Sequence, residues 1–152
     1  EEGERRRREG RWAAGAWSLG LGGGRTLGVS PGIRRDLTAV ADRGVQWMLD
    51  DFGSGFASLE TLTSLPISGV KLDRKFTSQV LHGEREGVVV KAMIALAAEA
   101  GLSVIAEGIE TQLQSDRLVR MGCMIGQGYL FAMPQPASAV AAAIAAPLVT
   151  TF

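Results

Sequence analysis

Long apolar runs are missing from this 152-residue chain. None approaches the roughly 18 residues that suggest a membrane-spanning helix. The N-terminal "EEGERRRREGRW" lacks the apolar core of a secretion signal. Cysteine is nearly absent: Cys123 stands alone, which excludes an internal disulfide and points to a reducing compartment. Neither sign of charge is in excess, with 16 Lys and Arg against 16 Asp and Glu. That balance argues against DNA, RNA or membrane binding driven by bulk charge. The expectation is a soluble, cytoplasmic segment with no DNA, RNA or membrane partner. The single histidine, His82, lies in a polar stretch between helices and is given no role.

Composition changes near residue 30. Residues 1–30 combine an arginine run, many glycines and Trp12 and Trp17, with no sustained period of 2 or 3.6. They are expected to be poorly ordered or non-homologous to the rest of the chain. The arginines of residues 5–8 could touch phosphates, but Glu4 and Glu9 flank them, and a solvated cluster is the simpler reading.

Residues 31–152 alternate helix patterns and short apolar strands. "PGIRRDLTAVADRG" has a proline in its first turn, Ile33, Leu37 and Val40 at helical spacing, and Gly44 beyond its end. "VQWMLDD" reads as a strand and "SLETLTSLP" as a short helix closed by Pro66. "GVKLD", "LSVIAEGIE" and "CMIGQGYLF" read as three further strands. Between them lie helices in "EGVVVKAMIALAAEAG" and "TQLQSDRLVRMG", each followed by a glycine stop. "ASAVAAAIAA" reads as a last helix. The alternation indicates about four parallel βα units. Each strand carries polar residues at its C-terminal end: Asp50 and Asp51, Lys71 and Asp73, Glu107 and Glu110, Gln127. In barrels and open α/β sheets, sites are built at that end.

The pair Asp50–Asp51 raises a question of charge. Adjacent side chains on a strand point to opposite faces, so the two could share a ligand only where the strand ends and its backbone twists. Gly53 and Gly55 supply that freedom. One reading is a strand end with a polar turn; the other is a cation site. Lys71 is open to a similar choice, between a strand-end salt bridge to Asp73 or Asp51 and a functional role. Glu107 could be a structural acid, although its charge would then point uncompensated toward a sheet interior. Cys123 reads as a small core residue.

Together "DDFGSG", "VKLDRKF", "VIAEGIET" and "GQGYLFAMP" closely resemble the EAL domain, the bacterial phosphodiesterase that linearises cyclic di-GMP. The similarity runs from about Gly32 to Ala143. It implies the C-terminal half of a TIM-type (β/α)8 barrel. It also implies that Asp50 bridges two divalent ions, Mg or Mn, that Asp51 and Glu107 ligate the second, and that Lys71 stands beside the attacking water. Asp73, Glu110 and Gln127 would support that water and the loop after Asp51. Ser54 keeps the hydroxyl of the usual threonine in that loop, while Phe56 and Ala57 replace the usual Tyr and Ser. Two divalent ions about 3.5–4 Å apart suit phosphodiester hydrolysis, and oxygen ligands favour Mg or Mn over zinc.

The resemblance also exposes an absence. The family's Glu-Ala-Leu strand, and the Asn and second Glu that complete its first metal shell, have no counterpart. The chain contains no asparagine, and no glutamate between Glu9 and Glu60. A TIM barrel usually takes about 250 residues. Three readings remain open: a fragment of a cyclic di-GMP phosphodiesterase, inactive alone; a non-catalytic cyclic di-GMP-binding or interaction module; or a remnant whose first 30 residues come from a shifted frame. Strands "VQWMLDD" and "CMIGQGYLF" are expected as open sheet edges through which two copies could pair.

Overall fold

The computed structural model describes residues 18–21, 30–54, 59–136, 138 and 139. Five parallel strands form one sheet: β1 (Ser18–Leu21), β2 (Gln46–Phe52), β3 (Ile67–Leu72), β4 (Ser103–Ala106) and β5 (Ile125–Gly126). They lie side by side in the order of the chain. Helices α1 (Pro31–Ala41), α2 (Leu59–Ser64), α3 (Arg74–Gln79), α4 (Glu84–Glu99) and α5 (Gln112–Arg120) fill the connections.

Local chemistry sets the helix boundaries. The Ser30 side chain accepts a hydrogen bond from the Ile33 amide at 3.3 Å, and Pro31 occupies the first turn, where its missing N–H costs nothing. α3 starts at Asp73, whose Oδ1 accepts from the Lys75 amide at 2.7 Å. α5 opens with a reciprocal cap, Thr111 receiving the Gln114 amide and the Gln114 side chain receiving the Thr111 amide. α4 places Glu84 and Glu86 in its first turn, favourable to the helix dipole.

Burial follows the apolar periods. α4 turns Gly87, Val90, Ile94 and Ala97 inward at three- and four-residue spacing. One core cluster joins Leu72, Val80, Val90, Ile94, Leu118 and Cys123. A second joins Leu49, Phe52, Leu62, Val70 and Ala97. Cys123 is a buried core residue, as its position suggested. Burial pushes its thiol above the ordinary range, against weaker opposing hydrogen bonds to backbone carbonyls.

Several expectations need correction. The sheet has five strands, because β1 pairs along β2 from Ser18 opposite Gln46 to Leu21 opposite Leu49. β2 is therefore not an open edge. A four-residue strand is too short to display a period, and the backbone groups of β2 supply the pairing that the pattern of residues 18–21 could not reveal. β4 stops at Ala106 rather than running to Glu110, since Gly108 turns the chain with φ +67°. β5 comprises only Ile125 and Gly126. The alanine-rich helix expected over 137–146 falls outside the described residues except at 138 and 139.

Candidate functional site

Four adjacent strands deliver the site's side chains to one end of the sheet. Asp50 lies near the end of β2 and Lys71 near the end of β3, while Glu107 and Gln127 directly follow β4 and β5. Backbone bonds hold the last two in step: the Glu107 amide donates to Leu72 O at 3.1 Å, and the Gln127 amide to Ala106 O at 2.8 Å. Gly128 permits the next step of the chain. A side chain there would place Cβ 2.2 Å from Ile109 O, so only glycine lets the segment after β5 cross this close.

The side chains form a continuous polar ladder. The Lys71 ammonium donates to Asp50 Oδ1 at 3.2 Å and to Glu107 Oε1. Gln127 Nε2 donates to the same Glu107 oxygen at 2.8 Å. Burial pulls the Lys71 pKa down, but the hydrogen bonds to Glu107 and Asp50 and the charges of both carboxylates outweigh it. The ammonium is thus held above its ordinary value and remains charged at neutral pH. Lys71 pairs with Asp50 and Glu107, not with the Asp73 or Asp51 that the salt-bridge alternative named. On the far side of Asp50, β1 comes so close that a Cβ at Gly20 would sit 3.2 Å from Asp50 Oδ2.

Asp51 leaves the ladder. It has φ +53°, the left-handed region uncommon for residues other than glycine. Its carbonyl accepts from the Ser54 amide at 3.1 Å and the Ser54 hydroxyl at 2.8 Å. The exposed carboxylate of Asp51 has no ion-pair partner among the described residues. The twist anticipated at the end of this strand is therefore present, and Ser54 holds it. Gly55, Phe56 and Ala57 lie outside the described residues.

Asp73 caps α3 instead of joining the ladder. Glu110 pairs with Arg74, a residue that no sequence motif singled out. Both line a cavity of about 360 Å³ with Gln127, Tyr129 and Met133. The signal for Arg74 was its place directly after Asp73: the first residue of a helix capped at a strand end is carried to the same end of the sheet.

Residues 32–134 match the EAL domain family. The chain belongs to that family. RocR, a cyclic di-GMP phosphodiesterase of Pseudomonas aeruginosa, is 44% identical over 88 residues, covering 58% of this chain and 22% of RocR. The PaMucR phosphodiesterase solved as a c-di-GMP complex superposes with TM-score 0.74 at 32% identity, covering 84% of this chain and 51% of that one. The EAL domain of Mycobacterium smegmatis DcpA gives TM-score 0.79 at 34% identity, with 86% and 59% covered. The chain therefore spans little more than half of these solved EAL chains, and the barrel it forms is partial.

EAL phosphodiesterases depend on divalent metal. Among the described residues, no three His, Cys, Asp or Glu side chains converge to hold an ion. Asp50 and Glu107 are hard oxygen donors of the right kind, yet the Lys71 ammonium pairs with both, and Asp51 makes no ion pair in this ladder. The described residues do not by themselves fit a metal pair. Among them, too, no helix is long and apolar enough to cross a membrane.

Proposed function

We propose that this EAL chain carries the C-terminal half of a cyclic di-GMP phosphodiesterase site, functional in a complete domain and negligibly active alone. The observation that carries this reading is the ladder Asp50–Lys71–Glu107–Gln127, delivered by four neighbouring strands to one end of the sheet. In a complete domain Asp50, Asp51 and Glu107 would be the carboxylates that hold Mg or Mn, which would supply an activated water, and Lys71 would stand beside that water. Gln127 orients Glu107. Asp73 sets the start of α3 and with it Arg74, which fixes Glu110. Ser54 holds the turn that aims Asp51. The product is linear pGpG.

A chimera tests this directly. With residues 32–134 in place of the matching segment of RocR, the protein should hydrolyse cyclic di-GMP, and Glu107→Gln in the chimera should abolish turnover. A folded chimera that binds cyclic di-GMP without cleaving it would support the second reading, a non-catalytic binding or interaction module. That no three donors converge among the described residues is what favours that alternative. For the isolated chain with excess Mn, turnover lost on Asp50→Ala would show that a second copy or another residue completes the site. Pairing between copies, if present, uses the outer edges of β1 and β5.

A further inference from the structure

A groove on the helical face shares no residue with the ladder. It has a volume of about 340 Å³ and runs between the start of α4, at Glu84, Gly87, Val88 and Lys91, and the end of α5, at Arg117, Arg120 and Met121. Small-molecule sites begin at about 300 Å³. The α4 positions recur at one, three and four residues and form one stripe, while Arg117 and Arg120 are stacked three apart on α5. Two side chains of the α5 end reach the surface of α4 at Gly87: a Cβ there would lie at ordinary contact distance, 3.5 Å from Met121 Cε and 3.6 Å from Arg117 Nη2.

Charge identifies the ligand class. Three cations and one carboxylate line the groove, an excess of two positive charges in a chain whose net charge is zero. Among the described residues, Lys91, Arg117 and Arg120 have no ion-pair partner. Gathered cations repel one another unless an anion joins them. A phosphomonoester carries about 1.5–2 negative charges at neutral pH and offers three acceptor oxygens, which match the forked donors of two arginines. A monocarboxylate would neutralise only part of the excess. Val88, 66% exposed, and Met121 provide an apolar wall for the organic body.

We infer that the α4–α5 groove binds a soluble phosphomonoester, its phosphoryl group held by Arg117, Arg120 and Lys91 and its body against Val88 and Met121.

The test uses the full chain and phenyl phosphate, followed by amide chemical shifts. Saturable shifts centred on residues 84–91 and 117–121 are expected, with benzoate, a monoanion of similar body, binding at least about tenfold more weakly. The double variant Arg117→Gln, Arg120→Gln should lose at least about tenfold in affinity with its thermal midpoint unchanged. Should that variant not fold, Lys91→Gln should still weaken phenyl phosphate more than benzoate. Equal affinity for the two probes, shifts elsewhere, indifference to these substitutions, or no saturation up to about 10 mM would each overturn the inference. So would capture by phosphatidic acid vesicles without phenyl phosphate binding, which would assign the cations to a lipid surface.

Discussion

α1 and α4 both read as amphipathic helices in the sequence, yet they meet different fates. α4 buries Gly87, Val90, Ile94 and Ala97 between strands and helices. α1 buries no residue, and Ile33 remains 39% exposed. A hydrogen bond ties it to the sheet, from the Trp47 indole N–H to Leu37 O at 2.9 Å. Periodicity establishes that an apolar stripe exists; neighbours decide whether it is covered. The β3–α4–β4–α5 region therefore holds the larger core cluster, while α1 buries no residue and meets β2 through the Trp47 hydrogen bond.

Breaking the two regions separately makes the contrast measurable. Leu118→Ala should cost about 2–5 kcal/mol in denaturant unfolding, because Leu118 is 1% exposed in the larger cluster. Ile33→Ala in α1 should stay within about 0.5 kcal/mol. If the two costs were equal, α1 would have to be packed in solution.

Gly69→Ala sharpens the same contrast from the strand side. A Cβ at Gly69 in β3 would stand 2.2 Å from Ser103 Oγ and 2.6 Å from Ser103 O. The expected loss is about 1–3 kcal/mol, seen as a lower midpoint with an unchanged denaturant slope.

Trp47→Phe should cost about 1 kcal/mol from the lost hydrogen bond. Hydrogen exchange should speed up in α1 much more than in α4. Uniform acceleration would mean that the indole supports the core rather than the helix.

The smallest effect concerns Cys123. Its folded pKa is raised above 9.0, so its share of stability is complete below that value and fades as pH climbs through the folded pKa. Unfolding measured from pH 8 to pH 10 should show a shallow decline that Cys123→Ala removes. Alkylation of the native thiol near neutral pH should be slow.

The apolar runs and glycine stops made most of this architecture legible: Gly44, Gly101 and Gly122 all take positive φ just beyond helices. The ends of strands carried Asp50, Lys71, Glu107 and Gln127 into one ladder because parallel strands share a direction. Three features were hidden for physical reasons. β1 is defined by its partner rather than by its own pattern. Asp73 belongs to a helix too short to show a period, so its capping role did not stand out. Asp51 parts from Asp50 through one backbone angle, a conformational choice that residue types permit without announcing.

Strand order matches chain order across the five described strands, and this bears on how this segment is born. As synthesis proceeds, each of β2 to β5 emerges to find one neighbour already made. Sheet growth can keep pace with the ribosome, one βα unit at a time. The loop-closure entropy of each addition is that of a single crossover.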